Sequence, residues 1–397
     1  MDLIGFRELV SPAGLELINS INQLDLTEKD YLPNFQRLSR QYSPKLVQAA
    51  LETVILRRKA RNKFPFAEQL FFTRAALEQA SSWEIAIYRA KHFTGFERVF
   101  DLGCSIGSDT LALGQVAPTY GVDLDRLRLA LARENGSALN LGERCIFINA
   151  DLTWALPMSV PNSTTAFFFD PARRVAGRRL YHVDQYQPPL RIIKNWLTAY
   201  SNLAVKVSPA VNLEELSDYH CGVEFISLEG ELKEAVLWFG ELFRSSFKAT
   251  LLPQNISLSC EEGDGIKKNR KISQPRQYLY EPDPAILRAG LVQIIANQLN
   301  AQQLDEDIAY LTSDSHVTNP FVRAWKVEDW MPFNLKHLRS YLRDRNVGQV
   351  TIKIRGSPID PQELQHLLKL GGENERMLFL TQYQGRPIVI VAFVEKG

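Results

Sequence analysis

The period of the hydrophobic positions changes twice along the chain. Over the first 95 residues they recur at helical spacing: LVQAALETVILRRKARNKF carries them three and four apart, and the same phase returns in AALEQASSWEIAIYRAKHF. This predicts a helical N-terminal region over 1–95. From Arg98 the pattern shortens to apolar or β-branched runs, RVFDLG, PTYGVDLD, CIFINADL, TAFFFDPA and NLAVKVSP. Each ends in small or acidic residues, and helical stretches such as DRLRLALARENGSALNLG and PLRIIKNWLTAYS separate them. Strand alternating with helix predicts a parallel sheet covered on both faces, an α/β domain over 96–252. FISLEG and KEAVLWFG read as an antiparallel ribbon closing that sheet. Residues 253–282, with Gly, Pro, Ser and a small basic run, read as an exposed linker. Beyond them, 283–397 mixes helical patterns (AILRAGLVQIIANQLN, NLKHLRSYLRDRN) with strand-like ones (QVTIKIRG, RMLFLTQY, RPIVIVAFV), which predicts a small α+β domain.

Charge and cysteine usage narrow the function classes. The 46 basic and 45 acidic side chains leave a net charge of +1, so no global field attracts a polyanion and any nucleic-acid contact needs a local patch. Arg57, Arg58, Lys59, Arg61 and Lys63 form one such cluster, whose ordinary reading is a solvated helix face. Cys104, Cys145, Cys221 and Cys260 lie far apart without a C-x-x-C pair, and the histidines show no ligand spacing. This argues against a metal site and a disulfide framework and fits a reducing, cytoplasmic setting. The first residues lack a signal-peptide apolar core, and no run approaches the roughly 20 apolar residues of a membrane span.

The candidate chemistry begins at VFDLGCSIG, Val99 to Gly107. A strand ending at Asp101 turns through Gly103 and Gly107 into a helix, and those glycines permit backbone angles and close approach that other residues resist. Asp123, 22 positions after Asp101, ends the next strand, where a carboxylate can accept both ribose hydroxyls. The G-x-x-x-G spacing departs from the G-x-G-x-x-G of nicotinamide and flavin sites, and no P-loop is present. Asp151 closes the third strand, where a carboxylate can accept from an adenine amino group; a helix cap is its plainer reading. Asp170 closes the fourth, and Pro171 fixes the backbone beyond it.

DLGCSIGSDTLAL, GVDLD, NADL and FFDPARR resemble the first four motifs of class I S-adenosylmethionine-dependent methyltransferases, over roughly residues 60–250. DPARR, QPPL, VKVSPA and EAVLWFG, followed by YLTSD, PFVRAW and TIKIRG, are similar to bacterial methyltransferases with a C-terminal THUMP-like domain. The resemblance implies a Rossmann-like methyltransferase sheet and S-adenosyl-L-methionine as cofactor, contacted by Asp101, Gly103, Gly107, Asp123 and Asp151. It places Asp170 beside the transferred methyl and requires no metal. Two positions depart from the pattern. Ser105 replaces the glycine usual in the middle of the first loop, and Arg173 stands where D-P-P-[YWF] amino-group methyltransferases carry a stacking aromatic. A guanidinium can stack on a base or pair with a phosphate, so the methyl acceptor stays open.

No cysteine lies in the fourth motif or directly after the fifth strand, which argues against a covalent pyrimidine C5 mechanism. Arg173, Arg174, Arg178, Arg179 and Lys206 are expected to edge the cleft mouth, either as a clamp or as a solvated loop. The expected catalytic set is Asp170, Pro171, Arg173 and Lys206. A THUMP-like domain implies RNA, a tRNA or rRNA base, contacted also by Arg339, Arg343, Arg345, Lys353 and Arg355. Methylation of a protein or small molecule, and a non-catalytic binding module, are the alternatives.

Overall fold

Serine followed by proline starts two of the N-terminal helices. Ser11 and Ser43 accept hydrogen bonds from the backbone of Gly14 and Leu46, while Pro12 and Pro44 take the first helical position, which needs no N–H. The helices are α1 (Leu3–Leu9), α2 (Pro12–Asn22), α3 (Tyr31–Leu38), α4 (Pro44–Ala60), α5 (Arg74–Gln79) and α6 (Trp83–Ala90). This computed structural model describes residues 1–24, 28–154, 156, 163–175, 178–180, 182–261 and 271–394. Two compact units emerge: Met1–Glu224 with Glu234–Arg244 and Leu252–Asn255, and Phe225–Lys233 with Ser245–Leu251 and Ile256–Gly397.

In the first unit the helical region is not a separate body. Phe6, Leu17, Val47, Leu51, Val54 and Phe72 share one core with Ile106 and Leu131, which belong to the α/β part. The periodicity that ran through AALEQASSWEIAIYRAKHF breaks at Ala80–Ser82, whose ψ angles of 139° and 150° separate α5 from α6. The basic cluster also differs from the solvated face expected of it. Arg57 is buried over the Phe71 ring and donates to the Leu70 carbonyl at 2.8 Å. Arg58 donates to the Leu24 carbonyl, and Arg61 pairs with Glu68 at 2.8 Å. Lys63 donates to the carbonyls of Leu77, Glu78 and Ala80 at 2.8, 3.2 and 2.9 Å. These side chains tie helices together.

The sheet of this unit joins β1 (Arg98–Leu102), β2 (Thr119–Asp123), β3 (Cys145–Asn149), β4 (Thr165–Phe169) and β7 (Leu203–Val207), all parallel, in the order β3-β2-β1-β4-β7. Every residue of β4 and β7 is buried, as strands covered on both faces must be. A short ribbon, β5 (Arg174–Val175) and β6 (Arg178–Arg179), follows β4. After β8 (Gly222–Leu228), β9 (Glu231–Trp238) pairs antiparallel to β7 through Ala235–Trp238, the closing ribbon expected from the sequence. The flanking helices are α7 (Ser108–Leu113), α8 (Arg126–Ala138) and α9 (Ile192–Leu197).

In the second unit, β12 (Tyr278–Pro282), β13 (Gln302–Gln303), β14 (Leu311–Ser313), β15 (Val322–Pro332), β16 (Val347–Ile354), β17 (Asn374–Tyr383) and β18 (Arg386–Phe393) form a sheet in the order β13-β14-β12-β15-β18-β17-β16. Leu338 and Leu342 of α12 (Leu335–Asp344) and Leu364 and Leu368 of α13 (Pro361–Leu368) pack on Leu378, Leu380, Val389 and Val391. The pattern over 285–300 is two helices, α10 (Pro284–Arg288) and α11 (Val292–Gln298), parted at Gly290, whose φ is +73°. The expected linker over 253–282 holds structure: β10 (Phe247–Leu252) pairs antiparallel with β11 (Ile256–Cys260), and β12 begins at Tyr278. Residues 262–270 of that stretch lie outside the described residues.

Candidate active site

The strand order reverses at β1, and the carboxyl ends of β1, β2, β3 and β4 open a cleft of about 630 Å³. The loop after β1 forms its floor. Gly103, Ser105 and Gly107 all take left-handed backbone, with φ of +86°, +51° and +82°. A Cβ on Gly103 would stand 3.0 Å from the Asp170 carbonyl oxygen, so the loop and the end of β4 touch only because that atom is missing. Ser105 adopts the conformation that the usual glycine would supply. Its N–H donates to Asp123 Oδ2 at 2.8 Å, and Asp123 Oδ1 accepts from the Asp125 N–H at 2.8 Å. Asp123 thus fixes the loop while facing the cleft.

Asp151 also lines the cleft, and its Oδ1 accepts from the Thr153 hydroxyl at 2.7 Å and the Thr153 N–H at 2.9 Å. The Thr153 hydroxyl chiefly holds this carboxyl below its ordinary range. Asp101 behaves differently and corrects the expectation of a cofactor contact. Only 1% exposed, it does not reach the cleft wall; Oδ2 accepts from the Thr110 hydroxyl at 2.5 Å, and Oδ1 is buried without a partner among the described residues. Burial, reinforced by the Asp109 carboxylate, pushes its carboxyl well above the usual range, with the Thr110 hydrogen bond opposing.

Asp170, Pro171 and Arg173 line the wall formed by the end of β4. Lys206 does not edge the mouth. It is 3% exposed on the central strand β7, and its ammonium donates to Asp170 Oδ2 at 2.6 Å and to Ser81 Oγ at 3.0 Å. A lysine on a strand buried from both sides is tolerable only when paired in this way. The Arg173 guanidinium, half-buried at the cleft, has no hydrogen-bond or ion-pair partner among the described residues. The side chains of Arg174, Arg178 and Arg179 lie outside the described residues. Gln187 joins the wall through paired backbone bonds with Ala172, at 2.9 and 3.0 Å.

Several wall and support residues carry no motif. Glu78 and Gln79 at the end of α5 face the cleft, as does Asp109 of α7. Arg89 lies fully buried behind Asp109, bonded to it, to Glu234 and, at 3.1 Å, to Ser81. The sequence signal was an arginine in phase with Ile85, Ala86 and Tyr88 on the apolar side of α6. Cys104 also lines the cleft, but burial pushes its thiol well up, with Asp101 and Asp123 adding to the effect, so it is no thiolate nucleophile.

The C-terminal cations are largely engaged. Arg345 and Arg376 pair with Glu328 at 3.2 and 2.6 Å, while Lys353 and Arg355 both pair with Glu281. Arg345, Lys353 and Arg355, expected as RNA contacts, are thus held in ion pairs within the second unit. Arg343 remains 79% exposed on α12, with Asp344 at 3.9 Å, and Arg339 caps the Leu367 carbonyl. Among the described residues no group of three His, Cys, Asp or Glu is placed to hold a metal, and no helix is long and apolar enough to cross a membrane.

The reversed parallel sheet, glycine loop and acidic strand ends define the Rossmann-like class that binds nucleoside cofactors at the switch in strand order. Comparison with known proteins carries this further. A protein of Mycobacterium tuberculosis, found in strains CDC 1551 and H37Rv and named an uncharacterized S-adenosylmethionine-dependent methyltransferase, is 33% identical over 347 residues, 84% of this chain and 92% of that protein. A family model described as THUMP domain-like matches residues 322–393, and a domain of unknown function matches residues 2–60. A crystal structure from Porphyromonas gingivalis W83, described as a methyltransferase, shares the fold at a TM-score of 0.76, with 21% identity, covering 94% of this chain and all of that one. The chain belongs to the S-adenosylmethionine-dependent methyltransferases with a C-terminal THUMP-like domain. The residues present fit that cofactor: Gly103 and Ser105 of the glycine loop line the cleft, and the carboxylates of Asp123 and Asp151 face it at the ends of β2 and β3.

Proposed function

We propose that the enzyme methylates a base of a structured RNA, a tRNA or rRNA, in the cytoplasm. Arg173 carries this reading: its guanidinium lines the cleft beside Asp170 without a partner among the described residues, and it suits a phosphate-bearing substrate. Lys336, Arg339 and Arg343, spaced three and four apart on α12, offer a second basic face for the same polyanion.

The site residues divide the work as follows. Asp123 would accept the ribose hydroxyls and Asp151 the adenine amino group, and the backbone of Gly103 to Gly107 would hold the methionine part. S-adenosylmethionine, when bound, supplies an electrophilic methyl for direct in-line transfer. Asp170 accepts a hydrogen bond from the acceptor group through Oδ1, since Lys206 occupies Oδ2. Pro171 sets the turn that aims this carboxylate. Arg173 holds substrate phosphate, and Lys206 is a positioning residue in place of the substrate contact first expected of it. Positioning of this kind supplies most of what methyl transfer needs.

The test uses labelled S-adenosylmethionine, purified protein and total RNA from a strain lacking the gene. Label should enter RNA, and Arg173→Ala should lower kcat/KM for RNA by at least about tenfold with cofactor affinity unchanged within threefold. Arg343→Gln should flatten the log–log salt dependence of RNA binding by nearly one contact, a slope change of about 0.7–0.9. Label entering protein or small molecules with none in RNA would overturn the proposal.

A further inference from the structure

Behind the cleft runs a chain of hydrogen bonds with five members: Asp109, Arg89, Ser81, Lys206 and Asp170. Ser81 Oγ joins the middle, 3.1 Å from Arg89 Nη2 and 3.0 Å from Lys206 Nζ. Arg89 and Lys206 are almost fully buried, and Glu234, which accepts from Arg89 and from Ser81 Oγ at 3.4 Å, does not line the cleft. The chain reaches the cleft only at its two ends, and both ends are carboxylates.

The charges do not cancel. Two buried cations face three carboxylates, Asp109, Glu234 and Asp170, while burial pushes the nearby Asp101 carboxyl well above the usual range. Within this bonded set one negative charge is in surplus, and the two cations that hold it are almost fully buried. Ordinary structural ion pairs would be expected to balance, since a buried unpaired charge is costly. A cation bound in the cleft would complete the set.

We propose that Asp109, held on the wall by Arg89, is a further cofactor-binding residue that acts with Asp170 to favour a positively charged sulfonium over an uncharged thioether. S-adenosylmethionine carries that charge and S-adenosylhomocysteine does not; the rest of the two molecules is the same. The surplus charge therefore holds the methyl donor and loosens its grip once the methyl has left. This rests on the reading of the cleft as the cofactor site.

Titration calorimetry of the full-length protein tests it without any methyl acceptor. The probes are S-adenosylmethionine, S-adenosylhomocysteine and sinefungin, which carries a protonated amine where the sulfonium sits. Wild type should bind the two cationic probes at least about tenfold more tightly than S-adenosylhomocysteine. Asp109→Asn should weaken the cationic probes by about tenfold and leave S-adenosylhomocysteine within twofold. Equal weakening of all three would overturn the proposal, because Asp109 would then serve the fold or the methionine ammonium common to every probe. Should Asp109→Asn fail to fold, wild type alone decides, and S-adenosylhomocysteine binding as tightly as the donor overturns the proposal. Wild type that binds none of the three would instead overturn the cofactor reading of the cleft.

Discussion

Asp101 and Asp123 look alike in sequence, each an aspartate at the end of a strand in the first two motifs, yet they do opposite things. Asp123 turns outward onto the cleft, whereas Asp101 turns under the loop toward Thr110. Register decides this: Asp101 lies opposite Gly121, two residues before Asp123, so it sits within the sheet while Asp123 stands at its edge, and a list of strand-end acids hides that offset. Lys206 shows the same limit: its type and order were legible, but its inward direction was not. Ser105 was legible as a departure, and its left-handed backbone appeared only with the structure. The Asp101 proton has a measurable consequence. The unfolded chain releases it near pH 3.8, while the folded protein keeps it to higher pH. The folded state therefore binds more protons across that window, and stability falls as pH rises through it. Asp101→Asn imitates the protonated form, so its melting temperature should gain on that of wild type between about pH 5 and pH 8. A gap that shrinks or reverses as pH rises would sink the assignment.

Among elements, the strand-and-helix alternation of the central region was readable because parallel strands buried on both faces must be apolar throughout. The boundary between α5 and α6 was not, since the apolar phase continues across a break of three residues. Lys63 helps define that break by occupying three carbonyls at the end of α5, the helix that brings Glu78 and Gln79 to the cleft. Lys63→Met removes this cap. Stability should fall by about 1–3 kcal/mol in denaturant unfolding, as for loss of charged hydrogen-bond donors. Limited proteolysis should meanwhile find new cleavage between residues 74 and 82. A variant that resists the protease as wild type does would show that other contacts hold α5. The strands in the expected linker were missed because ISLSC is a short alternating run beside polar sequence, and its partner β10 precedes it.

On the scale of the whole molecule, the change of pattern at residue 252 does not coincide with a division between the two compact units. The second unit takes Phe225–Lys233 and Ser245–Leu251 from upstream and combines them with Ile256–Gly397. A protein ending at residue 252 keeps β8 and β10, neighbours in one sheet, and loses β11 and the rest of the second unit. It should lack a cooperative thermal transition and elute as aggregate, so its loss of RNA methylation would say nothing about RNA contacts. A monodisperse 1–252 fragment that still binds cofactor would contradict this. Substitution at Arg343 in the full chain is the cleaner probe, because this side chain is 79% exposed on α12.

The interleaving also bears on inheritance. Gene fusion adds a module cleanly when one breakpoint separates two folding units, and here no single breakpoint does, since the chain enters the second unit, returns to the first and repeats the excursion before settling. A crossover in the stretch encoding residues 225–256 would deliver a hybrid with strands from one parent and partners from the other. Lineages that exchange this region should therefore exchange the catalytic half with it, and phylogenies built from either half should share one branching order.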